Sequence, residues 1–269
     1  MTDPRVQWTV KDHIAHVWLN RADKLNGLDL AMFKDMVAAA KAIRRDKRVR
    51  VVILAGRGQG FSAGLDFKAV QRSPMMALKL FLKWPWRQQN LAQKIAHCWR
   101  DLPVPVIAAL HGPCFGGGLQ IALACDFRIA AADTQMSVME MKWGLIPDMS
   151  AMVTLSRLTR LDIAQWLTMT GRRFDATQAL EYGLVTQVAA DPLAAAEALA
   201  QDIAHQSPDA VAAAKYLFKK TWKKDTGSAL RWERWVQARL LGRRNQRLAM
   251  QQGLGKDQGP APFQDRSLF

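Results

Sequence analysis

Cysteine is scarce in this chain, and no metal-binding pattern accompanies it. The 269 residues include three cysteines, Cys98, Cys114 and Cys125, which form no CxxC pair and lie in apolar surroundings. We therefore expect reduced, buried thiols of a cytoplasmic protein and no disulfide framework. The five histidines show no metal-ligand spacing in combination with acids or cysteines. No metal site is predicted.

Targeting and membrane-spanning segments are not evident either. Residues 1–5 contain no apolar stretch of the kind that signal peptides carry, and no uninterrupted apolar run reaches membrane-spanning length. The sequence therefore predicts a cytoplasmic protein without a membrane partner. Hydrophobic residues make up 49% of the chain, which argues against disorder and suffices for a large core at this length.

Acidic residues are few in comparison with basic ones. The chain has 38 Lys and Arg against 23 Asp and Glu, so its formal net charge is +15. Such an excess suits an anionic ligand, a nucleic acid or an acidic surface, although a solvated basic face explains most of these side chains better. No RNA-recognition motif, basic-aromatic pattern or KH-type GXXG loop accompanies the charge, so a nucleic-acid partner is not expected.

The hydrophobic pattern predicts strand–turn–helix units up to about Val188 and helices alone after it. The predicted strands are Arg5–Val10, His13–Leu19, Arg48–Ala55, Val104–Leu110, Asp126–Ala132 and Val185–Val188. The predicted helices are Leu30–Arg45 capped by Asp29, segments between Phe67 and Leu102, Leu119–Ala124, Ala151–Arg157, Asp162–Thr170, Thr177–Tyr182, Leu193–His205, Asp209–Lys224 and Ser228–Met250. These patterns divide the chain into a core (1–190), a helical region (191–250) and a loose tail (251–269).

Two glycine-containing turns follow consecutive buried strands. Phe61–Asp66 follows one strand, and Gly116–Gly118 follows the next and precedes a helix. Neither GxGxxG nor a following Gly-Lys-Ser/Thr is present, so the second turn is no ordinary phosphate loop. It is either a close-packing turn or an anion site. If the two strands are parallel neighbours, both turns lie at the same edge of the sheet, where ligands usually bind. Two backbone N–H groups from such turns can converge on one developing oxyanion.

These turns resemble the two oxyanion-hole motifs of the crotonase (enoyl-CoA hydratase/isomerase) superfamily. Residues 20–28 (NRADKLNGL) also resemble that family's CoA-binding NRPxKxNAL turn, and Cys125-Asp126 and residues 144–147 match in position. The likeness runs in a consistent order from about Ile14 to Val188. It implies an α/β spiral of ββα units and an acyl-CoA substrate. It also implies homotrimers or hexamers completed by the C-terminal helices, without a cofactor other than the CoA of the substrate.

The resemblance assigns roles by position. The N–H groups of Leu65 and Gly117 would form the oxyanion hole. The residues expected to contact CoA or the rest of the substrate are Lys24, Leu25, Gly27, Ala63, Asp66 and Gln120. Part of the basic excess would then serve the phosphates of CoA.

The acids depart from the hydratase pattern of two glutamates. The first position holds Gln120, whose amide cannot exchange a proton near pH 7, whereas the second position retains Glu140. Asp148 resembles the second acid of dienoyl-CoA isomerases and also occupies the position of the nucleophilic Asp of 4-chlorobenzoyl-CoA dehalogenases. Without the resemblance, Glu140 would be an ordinary acid and Asp148 an N-cap for the helix Ala151–Arg157.

The pattern favours an enzyme that moves a double bond in an unsaturated acyl-CoA, with Glu140 and Asp148 as acid–base groups. The alternatives are an enoyl-CoA hydratase, a dehalogenase- or hydrolase-like acyl-CoA enzyme that uses Asp148, and a non-catalytic or RNA-binding member. Several large side chains suggest a bulky apolar or aromatic acyl pocket, or core packing alone: Met75, Met76, Phe81, Trp84, Trp86 and Trp143.

Overall fold

A six-stranded, mostly parallel sheet forms the centre of the chain. The computed structural model describes residues 3–72, 74–83, 85–255 and 262–268. The strands are β1 (Val6–Lys11), β2 (Ile14–Leu19), β3 (Val51–Gly56), β4 (Val106–Leu110), β5 (Pro113–Phe115), β6 (Phe127–Ala130), β7 (Gln135–Ser137) and β8 (Gln187–Val188). The sheet order is β1-β2-β3-β4-β6-β8, in which only β1 and β2 are antiparallel. β5 and β7 form a second, parallel sheet of two strands.

Helices connect these strands in the described residues and then form the C-terminal region. They are α1 (Leu30–Arg45), α2 (Phe67–Arg72), α3 (Pro74–Phe81), α4 (Leu91–Arg100), α5 (Gly117–Ala124), α6 (Ala151–Leu158), α7 (Leu161–Thr170), α8 (Ala176–Glu181), α9 (Pro192–Ala204), α10 (Pro208–Thr221), α11 (Thr226–Leu240) and α12 (Arg244–Gly253). Two 3-10 turns lie at Ala22–Lys24 and Met139–Trp143. In the described part of the chain, no helix has the length and apolar character needed to cross a membrane.

Both faces of the central strands are covered, which explains their nearly continuous apolar sequences. Val52 and Leu54 of β3 face a core that includes side chains of α1, α4 and α5. Val51 and Ile53 face a second core with the alanines of α9. Parallel strands buried on both faces need apolar residues at every position, and no alternation is then visible in the sequence. Helix α9 follows the predicted boundary at residue 190 and nevertheless covers this second face.

Most predicted elements are confirmed, although their ends shift and one helix is divided. The β1–β2 turn lies at Asp12 and His13, which have positive φ angles, one residue later than predicted. The predicted helix Ser228–Met250 is wrong as a single element because the chain turns at Gly242, whose φ is +73°. Glycine accepts this left-handed conformation without steric cost, so α11 ends before it and α12 starts after it.

The C-terminal segment is packed, which corrects the prediction of a loose tail for residues 262–268. Asp209 of α10 is 2% exposed and accepts hydrogen bonds from the N–H groups of Ser267 and Leu268, at 2.7 and 2.9 Å. The Asn245 amide of α12 donates to the same carboxylate at 2.8 Å. Arg50 donates to the carbonyl oxygen of Phe263 at 2.9 Å. The Gly/Pro/Gln-rich composition predicted a loose tail, whereas the buried carboxylate of Asp209 anchors residues 267 and 268.

We predict that Asp209→Ala lowers the thermal stability of the protein. The substitution removes the acceptor of two backbone N–H groups and one of the two acceptors of the Asn245 amide, which should cost roughly 2–4 kcal/mol. The measurement is the midpoint of thermal unfolding, with Asp202→Ala on an exposed position of α9 as the matched control. Equal midpoints for the two variants would show that the Asp209 contacts do not stabilise the fold.

Candidate active site

The two glycine-containing turns meet through their backbones, as the sequence predicts. The N–H of Ser62 donates to the carbonyl oxygen of Pro113 at 3.0 Å, and the N–H of Phe115 donates to the carbonyl oxygen of Ser62 at 2.9 Å. The turns follow β3 and β4, which are parallel neighbours in the sheet. The hydrogen bonds therefore extend the pairing beyond the strand ends and hold the residues that follow at one edge.

Glycine is required where these turns approach each other most closely. Gly64 has a φ of +86°, and a Cβ added to it would lie 2.7 Å from the carbonyl oxygen of Phe115 and 3.4 Å from the nitrogen of Gly117. A Cβ on Gly118 would lie 2.6 Å from that of Ser62. Side chains at these positions would force the turns apart. The glycines therefore bring the backbone of Leu65, which follows Gly64, close to the start of α5.

Two backbone N–H groups are available at this place. Across the described residues, the N–H groups of Leu65 and Gly117 donate no hydrogen bond to another part of the chain. Gly117 is the first residue of α5, a helix whose eight residues are all buried. The unsatisfied N–H groups and the dipole of such a helix favour negative charge at its N-terminus. The arrangement can therefore stabilise an oxygen that becomes negative during a reaction.

The turn formed by residues 20–28 packs directly against the first glycine turn. Leu25 has a φ of +47°, and its carbonyl oxygen accepts a hydrogen bond from the N–H of Ala63 at 2.8 Å. The N–H of Gly27 donates to the carbonyl oxygen of Lys24 at 2.9 Å, and the Lys24 side chain is exposed. The structure thus brings together Lys24, Leu25, Gly27 and Ala63, four of the six residues predicted to contact CoA or the rest of the substrate, while the contacts themselves stay a prediction.

Asn26 holds this turn in place and was not singled out from the sequence. Its fully buried side chain accepts a hydrogen bond from the N–H of Arg21 and donates to the carbonyl oxygens of Arg57 and Gly60, each at 2.9 Å. A buried amide satisfied on both ends fixes a turn as backbone pairing fixes a strand. The signal in the sequence was the Asn-Gly pair, which is typical of turns with positive φ.

Asp66 has a structural role in addition to its predicted contact with the substrate. Its carboxylate accepts a hydrogen bond from the Arg21 guanidinium at 2.8 Å and from the N–H of Ala69 in α2 at 3.0 Å. Partial burial works to raise the pKa of Asp66, but the hydrogen bonds from Arg21 and Ala69 outweigh it and the pKa is lowered. Asp66 is therefore an ionised partner of Arg21.

Glu140 lies next to the second glycine turn. It belongs to the 3-10 turn after β7, and a Cβ added to Gly116 would lie 3.3 Å from its Oε1 atom. The Gln120 amide donates to the same oxygen at 2.6 Å, whereas Oε2 is buried and has no hydrogen-bond partner in the described residues. Burial raises the pKa of Glu140, and the nearby charge of Asp148 acts in the same direction. The carboxyl can therefore exchange a proton closer to neutral pH than an ordinary glutamate.

Asp148 is a second partly buried carboxyl and does not cap α6. The N-cap of α6 is Ser150, which has a φ of +71°, so the interpretation of Asp148 as a helix cap is wrong. The Ser150 hydroxyl donates to the carbonyl oxygen of Gln93 at 3.1 Å, which ties this loop to α4. Burial raises the pKa of Asp148. Two carboxyls with raised pKa values, together with the free N–H groups of Leu65 and Gly117, are suited to proton transfer at carbon.

A sequence model of one family, described as enoyl-CoA hydratase/isomerase, matches residues 9–266. The chain belongs to the enoyl-CoA hydratase/isomerase family. The mitochondrial Delta(3,5)-Delta(2,4)-dienoyl-CoA isomerase of Mus musculus is 33% identical over 222 residues, which cover 77% of this chain and 66% of that protein. The chain thus spans about two thirds of that relative's length.

Two further similarities cover more of the other protein. The carnitinyl-CoA dehydratase of Citrobacter koseri is 34% identical over 211 residues, 77% of each chain. The crystal structure of an enoyl-CoA hydratase from Bacillus anthracis has a TM-score of 0.86 and 28% identity, and the match covers 96% of this chain and 98% of that chain. These findings confirm the crotonase fold and identify this family member as an enzyme of the enoyl-CoA hydratase/isomerase type.

The large apolar side chains suggested for an acyl pocket have different environments in this family member. Met76 is buried in the core, whereas Met75, Phe81 and Trp86 are exposed; Trp84 lies outside the described residues. Trp143, in the same 3-10 turn as Glu140, is half exposed and stacks on Phe67 with ring centroids 4.2 Å apart. Phe67 directly follows the first glycine turn, and contact of Trp143 with an acyl group stays a prediction.

We predict that Gly64→Ala reduces turnover by about 10²–10³-fold. The new Cβ would collide with the Phe115 carbonyl oxygen and displace the N–H of Leu65, and the loss of one oxyanion donor has this magnitude. Gly242→Ala is the matched control, because Gly242 also has a positive φ but no atom within 4 Å of its added Cβ. If both folded variants keep the wild-type kcat, the close approach of the turns does not serve catalysis.

We predict that the Tm of Glu140→Gln rises relative to that of the wild type as the pH increases. The folded state raises the pKa of Glu140, so the wild-type protein loses stability as the pH rises from about 4.3, the unfolded value, through the folded value. Glutamine cannot ionise and retains an oxygen that can accept from Gln120. The measurement is the difference in Tm across this pH range. Glu181→Gln, at an exposed position, is the control, and a flat difference for both would refute the prediction.

Proposed function

We propose that this enzyme shifts a double bond in an unsaturated acyl-CoA. The observation that carries the proposal is the group of side chains beside the two available N–H groups, namely Glu140 with a raised pKa, Asp148 close to it and Gln120 in place of a second glutamate. One relative of this chain is named as a dienoyl-CoA isomerase, and that activity agrees with this proposal. Acyl-CoA binding itself fits the family.

The first step places the thioester carbonyl oxygen against the N–H groups of Leu65 and Gly117. These donors stabilise negative charge on that oxygen more than they stabilise the neutral carbonyl, which lowers the barrier to forming an enolate. Each donor should contribute about 3–4 kcal/mol. Because α5 is buried, its dipole would stabilise the charge of the enolate with less screening by solvent than at the surface.

Glu140 then moves the proton. Its carboxylate takes a proton from the carbon between the thioester and the double bond, and the electron pair of the C–H bond extends the conjugated system to the oxygen. The enolate oxygen returns its charge to carbon when the same proton is delivered at the far end of the conjugated system. A single acid–base group suffices for such a 1,3-shift, and one well-placed group contributes about 10²–10⁴-fold.

Asp148 provides the second proton site that a longer shift requires. When two carboxyls lie close together in a partly buried site, their charges oppose each other and the more easily protonated one retains its proton. Burial raises the pKa of Asp148 as it raises that of Glu140, so either carboxyl can hold the proton that the pair exchanges with the substrate. A dienoyl-CoA shift moves the proton farther along the chain and suits this pair.

The second candidate is the addition or removal of water at an enoyl-CoA. A dehydratase among the relatives and the presence of two carboxyls favour it. Gln120 argues against it, because an amide occupies the position of one hydratase glutamate and cannot exchange a proton near neutral pH. A dehalogenase- or hydrolase-like attack would use the ionised carboxylate of Asp148 as the nucleophile.

The assembly and location of the enzyme are further proposals. We infer a trimer, or a dimer of trimers, in which the C-terminal helices complete the subunit contacts. Apolar side chains exposed in this region support that inference, namely Phe218, Trp222, Leu230, Leu241, Met250 and Leu254. A cytoplasmic location stays a prediction of the cysteine usage. Nucleic-acid binding, which the charge of +15 alone suggested, gains no support from the site.

The experiment is a product screen against 2-enoyl-, 3-enoyl-, dienoyl- and aryl-CoA thioesters. We predict isomerised products, and Glu140→Gln should eliminate both turnover and the exchange of substrate α-protons with deuterated water. Asp148→Asn should lose turnover of a dienoyl-CoA while retaining some exchange at the Glu140 end. The conservative control is Glu181→Gln on α8, which should retain the wild-type rates.

Each other result points elsewhere. Hydrated products would establish the second candidate, and a covalent acyl- or aryl-enzyme species in the mass spectrum would establish nucleophilic attack by Asp148. Unchanged turnover in folded Glu140→Gln would refute every mechanism based on that carboxyl. If the protein binds acyl-CoA and yet neither converts it nor exchanges its α-protons, the chain is a non-catalytic member of the family.

A further inference from the structure

The Gln120 side chain is used entirely within the protein, although the sequence suggested a substrate contact. Gln120 is the fourth residue of α5 and is 2% exposed. Its Nε2 donates to Oε1 of Glu140 at 2.6 Å, and its Oε1 accepts from the N–H of Met149 at 2.8 Å. Its polar atoms are thus engaged at both ends. A bridging role inside the site fits these contacts better than direct contact with the substrate.

The chemistry of the partners fixes which way the Gln120 amide points. A backbone N–H can only donate, so the atom that faces Met149 must be the amide oxygen. The NH₂ group therefore faces Glu140 and requires an acceptor there. Oε1 of Glu140 supplies that acceptor, and in a protonated carboxyl the carbonyl-type oxygen accepts a hydrogen bond better than the O–H oxygen does. A proton held by Glu140 is therefore carried on Oε2.

The second oxygen of Glu140 has the opposite environment. Oε2 is buried and has no hydrogen-bond partner among the described residues. A buried polar atom without a partner is costly, and in a native site it calls for an explanation such as a catalytic role. Because Oε1 is held by Gln120, the two oxygens of this carboxyl are not equivalent. One is fixed and the other is free to exchange a proton.

The same amide also holds the loop that carries the second carboxyl. Met149 directly follows Asp148, and its Sδ would lie 2.8 Å from a Cβ added to Gly117. The N–H of Met149 is bound by Gln120, which lies in the helix that begins at Gly117. One buried side chain therefore connects the oxyanion-binding end of α5, the carboxyl of Glu140 and the loop of Asp148.

We propose that Gln120 is the positioning residue of this site, holding Oε1 of Glu140 and the Asp148 loop so that Oε2 alone carries the proton. The inference rests on the proposed function for the fate of that proton. It also explains why an amide suits this position. A glutamate here could still accept from Met149, but its other oxygen would face Oε1 of Glu140 across 2.6 Å, and the two carboxylates would have to share a proton.

The test compares Gln120→Met and Gln120→Glu with the wild type in two measurements. The first is a ¹³C NMR titration of the Glu140 carboxyl in the protein without substrate. Methionine has a similar length but cannot donate, so the pKa of Glu140 should rise, because the Gln120 hydrogen bond lowers it in the wild type. In Gln120→Glu the two carboxyls should titrate in two coupled steps. Gln178→Met, in the capping box of α8, is the matched control and should leave the titration unchanged.

The second measurement is steady-state kinetics with the thioester that the wild type isomerises. A positioning role predicts that kcat falls about 10–100-fold in Gln120→Met while KM stays within about twofold, because the carboxyl is misplaced and binding is not. A raised KM with unchanged kcat would make Gln120 a substrate contact and overturn the inference. An unchanged Glu140 titration in a folded variant would overturn it as well.

Failure of this inference is distinguishable from failure of the proposed function. The titration needs no substrate, so an altered Glu140 titration in a protein that isomerises no thioester would support the positioning role and refute the isomerase. Should Gln120→Met not fold, Gln120→Glu retains an acceptor for Met149 and answers the same question. If Glu140 titrates in that variant as it does in the wild type, Gln120 does not position it.

Discussion

The close approach of two backbone turns is the constraint on which the site depends. The hydrogen bonds from Ser62 to Pro113 and from Phe115 to Ser62 continue the pairing of β3 and β4 beyond the sheet edge. This contact leaves no room for a Cβ at Gly64 or Gly118. It brings the N–H of Leu65 near the start of α5, and neither strand could do so alone. The sheet therefore acts on the chemistry by aligning two main-chain donors, whose directions no side-chain rotation can alter.

Burial then gives the surrounding polar groups their properties. Helix α5 is enclosed on all sides, so the field at its N-terminus is less screened than it would be at the surface. Glu140 and Asp148 have raised pKa values mainly because they are partly removed from water. Asp66 is also partly buried, but hydrogen bonds from Arg21 and Ala69 lower its pKa. The pKa values of these carboxyls are thus shifted in different directions because their surroundings differ, and this difference separates Asp66 from the two groups that we propose to move protons.

Family membership and reaction are decided at different levels of this molecule. The fold is common to this chain and to the solved structures that it is similar to. The choice of reaction belongs to the side chains placed around the donors. An amide at Gln120, bonded to Glu140 and to the backbone of Met149, leaves fewer proton-exchanging groups than two glutamates would. One fold can support many reactions because different side chains can surround the same backbone, so the reaction is inferred from the individual residues of the site.

The sequence by itself determined the features that depend on local chemistry. Apolar runs predicted β3 and β4, glycines predicted the turns after these strands, and Asp29 predicted the start of α1, because strand burial, positive φ and helix capping are properties of short segments. Only the tertiary structure decided the rest. It assigned the cap of α6 to Ser150, packed residues 262–268 on Asp209, and turned both ends of the Gln120 amide toward the protein. These outcomes depend on which groups from distant parts of the chain become neighbours after folding, and burial makes each unpaired polar atom costly.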